Sequence, residues 1–351
     1  MKTIQVNASR SYDVTVGSGL LTGAGEVIRS YCPGGVCAIV TDDTVDALYG
    51  AALEESLHAA GIKTVKYVFF HGEQGKNAQN YVELLELLAE NQLTRADAIA
   101  ALGGGVPGDL AGFAAATYLR GIAFVQLPTT LLAAVDSSVG GKTAIDLNAG
   151  KNLAGAFYQP NAVLCDVDTL ATLPDAQFRA GCAEVIKYAI LQDEELFNDL
   201  MVSGTAFPRE AVIARCVAHK RDIVAADEFD HGCRQLLNFG HTVGHAIEAL
   251  SDFEICHGEA VAMGMGVIAR ASAANGLCSM DCARAAEDIL ARFDLPSNSP
   301  FDAQQLRDIM LSDKKRRGDS ITLVIPREIG QCTLHTIGAS ELTDFVKAGI
   351  L

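Results

Sequence analysis

Apolar residues in the first half of the chain follow two alternating patterns. Short β-rich runs lie at 36–43, 63–70 and 97–105, and each is followed by a longer segment with helical spacing, such as VDALYGAALEESLHAAG after the first run. The N-terminal stretch MKTIQVNASRSYDVTVGSG alternates polar and apolar residues, which is typical of a strand. Strands that alternate with helices predict a parallel α/β sheet with right-handed crossovers. We therefore expect a Rossmann-like domain over residues 1–175.

The pattern changes after residue 181. Long alanine-rich segments with helical period dominate, as in CAEVIKYAILQDEELFNDLM and GEAVAMGMGVIARASAAN. The region 321–338 alone indicates strands there, as a late hairpin. A chain of 351 residues exceeds the usual size of one hydrophobic core. The predicted fold is an α/β N-terminal Rossmann-like domain over 1–175 plus an all-α C-terminal domain over 176–351.

Composition narrows the function classes. A net charge of −16 would repel a polyanion, so a nucleic-acid partner is not expected. No segment reaches the roughly 18 uninterrupted apolar residues that a membrane span needs, and the first residues lack the apolar core of a signal peptide. Ten cysteines without a CxxC pair suit reduced thiols. These features predict a cytoplasmic protein with no membrane partner.

A glycine-rich turn follows the apolar strand AIAAL. Gly103, Gly105 and Gly108 have GxGxxG spacing, and a helix is predicted from about Asp109. Glycine lets the backbone approach a pyrophosphate, and the N-terminus of the next helix offers free N–H groups. The turn is a candidate dinucleotide site, with a tight strand-to-helix turn as the alternative.

The dinucleotide fingerprint is incomplete. The acidic residue expected about 20 positions after the glycines is missing, and Thr129 and Thr130 lie in that region. The pattern therefore departs from that of a standard dehydrogenase. Ribose could instead be bound by Asp42, which ends the run 36–43, or by Glu73 and Lys76 in HGEQGK. A turn role for Asp42 is an equal alternative.

Histidines concentrate in the second half. His241 and His245 are spaced i, i+4, which places them on one helix face, and His257 follows at the start of the next helix. Together with Glu184 they supply the nitrogen and oxygen donors of a catalytic zinc-type site. A lone histidine on an apolar helix is more often a core residue. Spacing by itself leaves open which two of the three histidines bind metal.

Cations accompany both candidate sites. Lys142 and Lys151 lie within the segment VDSSVGGKTAIDLNAGKNLAG, which is predicted as an anion-binding loop rich in glycine. Further cations lie in the second half, with solvated surface charge as the alternative for each: Lys187, Lys220, Arg234 and the run 314–317.

Six motifs occur in an order and spacing that resemble 3-dehydroquinate synthases, of the sugar phosphate cyclase superfamily. They are GGGVPGD, QLPTTLLAAVDSSVGGKTAID, GKNLAGAFYQP, AEVIKY, LNFGHTVGHAIE and HGEAVAMGM. The resemblance implies a dehydroquinate synthase-like fold that binds NAD and one zinc or cobalt ion, usually as a homodimer. It also implies that the metal ligands are Glu184, His241 and His257, while His245 lies on the phosphate side of the substrate and relays a proton.

The resemblance assigns the other site residues as well. Around the phosphorylated sugar acid substrate it implies Lys142, Asn152, Lys187, Lys220, Arg234, Asn238, one of Lys314 and Lys315 (with Lys315 favoured), and Arg120 from the neighbouring subunit. Asp136 would meet the nicotinamide. The predicted NAD set also contains Asp42, Glu73, Lys76, Gly104, Gly105, Val106, Gly108, Asp109, Thr129, Thr130, Lys142, Lys151, Thr169 and Thr172.

The implied reaction converts 3-deoxy-D-arabino-heptulosonate 7-phosphate to 3-dehydroquinate and phosphate, in the shikimate pathway. It proceeds by transient oxidation with NAD, phosphate elimination, reduction and aldol closure, and the metal polarises a substrate hydroxyl. One alternative is a related cyclase of secondary metabolism whose substrate lacks the carboxylate, although Arg234 and Asn238 argue against it. The other alternative is a metal-dependent polyol dehydrogenase, which would release its reduced cofactor.

Overall fold

A computed structural model describes residues 1–312 and 319–351. The chain divides into two compact units. The first unit contains Met1–Pro174 and Arg209–Phe229, and the second contains Asp175–Pro208 and Asp230–Leu351. The sequence pattern did not indicate that 209–229 returns to the first unit, because helical periodicity does not report which core a helix packs on.

The described residues form eleven strands. They are β1 (Lys2–Asn7), β2 (Ser11–Gly17), β3 (Val36–Asp42), β4 (Lys63–Phe69), β5 (Ala98–Gly103), β6 (Ala123–Pro128), β7 (Lys142–Leu147), β8 (Gly150–Phe157), β9 (Ala162–Asp166), β10 (Ser320–Glu328) and β11 (Gln331–Gly338).

Thirteen α-helices occur in the same described ranges. They are α1 (Ala24–Arg29), α2 (Asp43–Val45), α3 (Ala51–Ala59), α4 (Ala78–Glu90), α5 (Gly105–Thr117), α6 (Asp175–Gln192), α7 (Glu194–Ser203), α8 (Arg209–Ala226), α9 (His241–Leu250), α10 (His257–Ala274), α11 (Met280–Arg292), α12 (Ala303–Ser312) and α13 (Leu342–Lys347).

The first unit is built on a seven-stranded sheet, which confirms the predicted α/β fold. The strand order is β1-β2-β9-β6-β5-β3-β4. Only β1 and β2 pair antiparallel within this sheet, and the other neighbours are parallel. All six residues of β5 are buried, as expected for a parallel strand covered on both faces. The chain runs outward from β3 to β4 and then returns to β5 on the other side of β3, so the carboxyl ends of β3 and β5 flank a switch point, where nucleotides bind in such sheets.

The glycine-rich segment after residue 135 is not the simple loop that its composition predicted. β7 and β8 pair antiparallel and form a separate two-stranded hairpin. Thr143 and Ile145 are buried where β7 packs against α5. A Cβ at Gly155 would meet the carbonyl oxygen of Thr143 at 2.1 Å, so glycine is needed where the two strands pack closely.

Seven helices and the β10–β11 hairpin form the described part of the second unit. The hairpin confirms the strands predicted at 321–338. Small residues let its helices approach closely: a Cβ at Gly264 would meet the Gly240 carbonyl oxygen at 2.0 Å, and one at Gly258 would meet the Ala180 carbonyl oxygen at 2.0 Å. These contacts bring the N-terminal turns of α9 and α10 close to α6.

Two further expectations can be compared with the structure. All ten cysteines are free thiols. Within the described ranges, no helix has the length and apolar character needed to cross a bilayer.

Candidate functional site

Three metal-binding side chains converge in the second unit. Glu184 lies in the middle of α6, while His241 and His257 are the first residues of α9 and α10. Nε2 of His241 lies 3.3 Å from Oε1 of Glu184, and Nε2 of His257 lies 3.7 Å from the same oxygen. The donor atoms of the trio all lie within 4.8 Å of one another. Two imidazoles and one carboxylate match the donor set of a catalytic zinc-type site.

The Glu184 carboxylate is buried and forms an ion pair with Lys187. It is 1% exposed, and Nζ of Lys187 lies 2.5 Å from its Oε2. Burial works to raise the pKa of Glu184, but Lys187 and His241 outweigh burial and hold it well below its usual value. Among the described residues, neither carboxylate oxygen accepts a well-aligned hydrogen bond. A divalent cation fits this anionic, under-coordinated group.

The second nitrogen of each imidazole has its own acceptor. Nδ1 of His241 lies 3.1 Å from the Phe239 carbonyl oxygen, and Nδ1 of His257 lies 3.1 Å from Oε2 of Glu248. These contacts favour Nδ1–H donation and leave each Nε2 directed at Glu184. Burial lowers the pKa of His241. Burial has the same effect on His257, but the nearby Glu184 and Glu248 carboxylates outweigh it and raise its pKa to about 10.

His245 lies beside the trio on the exposed face of α9. Its ring centroid is 5.5 Å from that of His241 and 5.8 Å from that of His257. His245, Glu248 and His257 form a second group whose donor atoms lie within 4.8 Å. The geometry therefore contains two overlapping trios, and the choice that spacing left open is narrowed to these two.

Two other predicted substrate residues precede α9. Arg234 and Asn238 belong to the short 3-10 helix Cys233–Asn238. The Arg234 side chain is 1% exposed, which is rare for an arginine and requires ionic or hydrogen-bonding partners. The structure thus places a buried guanidinium in the short 3-10 helix that precedes His241.

The glycine turn of the first unit has the form of an anion cradle. Gly103 has a φ of +149°, and a Cβ there would meet Cγ of Pro107 at 2.6 Å, so glycine is required. α5 begins at Gly105, four residues before the helix start expected near Asp109, because the glycines form the first helical turn. Within the described chain no side chain caps this helix start. Its N–H groups and dipole suit a pyrophosphate.

The predicted residues around this turn are placed as follows. Gly104, Val106 and Gly108 lie in or beside the first turn of α5, and the Thr129 N–H donates to the Gly103 carbonyl oxygen at 2.9 Å. A Cβ at Gly104 would meet Cγ2 of Thr130 at 3.1 Å, so a side chain at position 104 would crowd Thr130.

Lys76 is the centre of a charged cluster near the same sheet edge. Its Nζ lies 3.0 Å from Oε1 of Glu73 and donates to Asp109 at 3.0 Å and to Oδ1 of Asn152 at 2.8 Å. Burial lowers the pKa of Lys76, but Asp109 and Glu73 outweigh it, so the net shift is upward. Burial raises the pKa of Asp109 to about 6 against the opposing charge of Lys76. Four residues predicted from three separate segments, Glu73, Lys76, Asp109 and Asn152, therefore form one network.

Lys220 links α8 to the segment around Asp136, within the first unit. Its Nζ donates to the Asp136 carbonyl oxygen at 2.8 Å and lies 2.8 Å from the Asp136 carboxylate. Both residues were predicted to be functional, but they are 84 positions apart in the chain. The structure brings a predicted substrate lysine to the predicted nicotinamide contact.

The remaining predicted residues are more dispersed. Asp42 accepts a hydrogen bond from the Val45 N–H at 2.9 Å and caps α2, as a turn residue would. The Tyr49 hydroxyl donates to the Thr169 carbonyl oxygen at 3.0 Å and contacts the Thr172 hydroxyl. Arg120 has a φ of +65° and is exposed.

Lys142 begins β7 with an exposed side chain, and Lys151 lies half-buried in β8. Lys314 and Lys315 fall in 313–318, outside the described residues.

Two residues of the site were missed at the level of sequence. Glu248 is three positions after His245, so helical spacing could have placed it on the histidine face. Asp146 lies in the AID segment of β7 and accepts a hydrogen bond from the Asn152 N–H at 2.7 Å. No local pattern marks Asp146 as different from a turn carboxylate.

Two family models together cover most of the chain. The 3-dehydroquinate synthase N-terminal model matches residues 66–180, and the 3-dehydroquinate synthase C-terminal model matches residues 181–316. The chain belongs to the 3-dehydroquinate synthase family. The resemblance that six motifs indicated is therefore confirmed, and the trio of Glu184, His241 and His257 falls within the C-terminal match.

Individual relatives extend the match to nearly the full length. The chain is 42% identical over 352 residues to 3-dehydroquinate synthase of Enterococcus faecalis, covering 99% of this chain and 98% of the relative. A 2-deoxy-scyllo-inosose synthase, solved with carbaglucose-6-phosphate, NAD+ and Co2+, superposes with a TM-score of 0.88 at 26% identity, covering 99% and 100% of the two chains. A 2-epi-5-epi-valiolone synthase from Streptomyces hygroscopicus, solved with NAD+ and Zn2+, gives 0.87 at 27% identity, with 98% of both chains covered.

Proposed function

We propose that this chain is a 3-dehydroquinate synthase that converts 3-deoxy-D-arabino-heptulosonate 7-phosphate to 3-dehydroquinate and phosphate, with bound NAD and one zinc or cobalt ion. The observation that carries the proposal is the convergence of Glu184, His241 and His257 beside Lys187, in a chain of this family. Relatives at about two-fifths identity share that name.

The cofactor assignments rest on fit. When bound, NAD would accept and return a hydride, and the divalent cation would polarise a substrate hydroxyl. The Gly103–Gly108 turn and the Lys76 cluster would hold the dinucleotide through backbone N–H groups and charged side chains. Glu184, His241 and His257 would hold the cation, and Lys187 keeps Glu184 ionised in its buried position.

The substrate carries a phosphate and a carboxylate, and the chain supplies matching groups. Each unit contains at least one buried cationic side chain that would contact the substrate. These are Lys220 in the first unit, and Lys187 and Arg234 in the second. The proposed contacts also include Lys142, Asn152, Asn238, Lys315 and a partner-directed Arg120. His245 is exposed beside the metal trio, where an imidazole can take up and return a proton at neutral pH.

A substrate comparison tests the proposal. The purified protein with NAD and zinc is offered heptulosonate phosphate, glucose 6-phosphate and sedoheptulose 7-phosphate in turn, and phosphate release is measured. We expect release only with the heptulosonate phosphate, because Arg234 and Asn238 would recognise its carboxylate. Release only with the other two sugars would instead identify a cyclase of secondary metabolism.

The fate of the cofactor provides a second test. In the proposed reaction the hydride returns to the substrate, so NADH should not accumulate. An NADH absorbance that rises in proportion to turnover would identify a polyol dehydrogenase and reject the proposal.

We also propose that the chain works as a homodimer in the cytoplasm. Exposed apolar side chains of the first unit support an interface, including Leu119 beside Arg120 and Phe157 of β8. Ten free thiols suit a reducing compartment. Sedimentation at micromolar concentration should give about twice the mass of one chain.

A further inference from the structure

The β7–β8 hairpin holds one residue in an unusual conformation. Asn152 has a φ of +54°, in the left-handed region that is costly for residues with a side chain, although asparagine tolerates it better than most. Its backbone N–H donates to Oδ1 of Asp146 at 2.7 Å. The register of the hairpin shifts between Ile145 and Leu147, so Asp146 lies at a β-bulge. Bulges commonly redirect a side chain near a functional site.

Asp146 is itself held by a second segment. Its backbone N–H donates to the Lys76 carbonyl oxygen at 2.8 Å, and Asn77 forms an isolated bridge with it. Lys76 in turn donates from Nζ to Oδ1 of Asn152 at 2.8 Å. Asp146, Asn152 and Lys76 therefore form a closed ring of contacts in which each residue bonds to the other two.

The Asp146 carboxylate lies in a charged environment with Glu73 and Lys76. Asp146 interacts electrostatically with Glu73, and Glu73 also pairs with Lys76 at 3.0 Å. Burial raises the pKa of Asp146, and the bond from Asn152 opposes that rise. The backbone of Asp146 is therefore fixed by the Lys76 carbonyl group, while its carboxylate accepts the bond from the Asn152 N–H.

We propose that Asp146 is a positioning residue, which sets the side chain of Asn152 for the substrate by binding the Asn152 backbone N–H. The inference rests on the proposed function, in which Asn152 contacts the substrate. Asp146 acts through Asn152 and does not itself touch the reacting atoms.

A double-mutant cycle separates this role from a general structural one. kcat and KM are measured for the wild type, Asp146→Ala, Asn152→Ala and the double variant. Each single change should lower kcat/KM by about tenfold, the size of one lost hydrogen bond to a charged group. In the Asn152→Ala background, Asp146→Ala should lower kcat/KM by less than about twofold, because no amide side chain remains to be positioned.

Conservative and matched variants complete the design. Asp146→Asn keeps an oxygen acceptor at Oδ1 and should restore most of the lost kcat/KM. Asp302 makes the same kind of bond, to the Gln305 N–H at 2.9 Å, in the second unit at the start of α12. Asp302→Ala should lower Tm as Asp146→Ala does and leave kcat/KM unchanged. NAD affinity, measured by fluorescence titration, should change by less than about threefold in Asp146→Ala.

The outcomes distinguish the inference from the function on which it depends. Unchanged kcat/KM in Asn152→Ala would reject both the Asn152 assignment and the inference. A loss in Asn152→Ala with additive effects in the double variant would overturn the inference alone. A large loss of NAD affinity in Asp146→Ala would also overturn it, since the carboxylate would then act on the Lys76 cluster.

Discussion

Oε2 of Glu248 lies 3.1 Å from Nδ1 of His257, and the Glu248 side chain is almost fully buried. The bond joins the last turn of α9 to the first residue of α10 and directs Nε2 of His257 towards Glu184. Histidines that bind metal usually donate their other N–H to such an acceptor, which fixes the ring and its tautomer. Glu248 thus sets the orientation of a proposed metal ligand without belonging to the Glu184 trio.

Removal of this carboxylate should weaken metal binding. Glu248→Ala should lower zinc affinity by about 10-fold to 100-fold, and Glu248→Gln by less, because the amide oxygen still accepts the Nδ1–H bond. Competition with a chromogenic chelator measures the affinity directly. Glu254→Ala, an exposed change in the loop before α10, is the control. Equal affinities for Glu248→Ala and the control would show that His257 needs no such support.

The two overlapping trios predict different effects of histidine substitutions on metal binding. If Glu184, His241 and His257 are the ligands, His241→Ala abolishes bound metal and turnover, whereas His245→Ala retains the metal and loses mainly turnover. Metal analysis of the two purified proteins distinguishes them. Loss of metal in His245→Ala together with its retention in His241→Ala would favour the trio with Glu248, and equal loss in both variants would reject the assignment.

The glycine turn should not tolerate a side chain at its first position. Gly103→Ala combines a φ of +149° with a Cβ placed 2.6 Å from Cγ of Pro107. We expect a loss of about 1–3 kcal/mol in the free energy of unfolding, together with weaker NAD binding. Gly23→Ala is the control, because nothing lies within 4 Å of its Cβ position. Thermal melts and NAD titration of both variants measure the difference, and similar behaviour of the two would refute the strain argument.

Asp109 predicts a pH dependence of stability. Its pKa is about 6 in the folded chain, against an ordinary value of 3.8. Between these values the folded state holds a proton that the unfolded state releases, so the Asp109 contribution to stability falls as pH rises. Asp109→Asn removes this titration, so its Tm relative to the wild type should rise between about pH 4 and pH 6.5. A constant difference across that range, in melts of both proteins, would contradict the raised pKa.

Local signals in the sequence were sufficient to predict much of the fold. Alternating strand and helix periods predicted the parallel sheet, and the spacing of Gly103, Gly105 and Gly108 predicted the turn at its edge. The same reasoning treated the glycine-rich segment around Lys142 as a loop, because glycine weakens strand signals even where two strands pair. Composition reports local preference, and pairing partners are supplied from elsewhere in the chain.

The sequence by itself determined which elements form and which chemical groups are available, because backbone preference and side-chain period act over a few residues. Tertiary structure decided which groups meet. It brought Lys220 to Asp136 across 84 positions, joined Glu248 to His257, and placed the Asp146 carboxylate where it accepts the Asn152 N–H. Such contacts depend on how helices and strands pack, and close packing is a property of the whole core that no local pattern encodes.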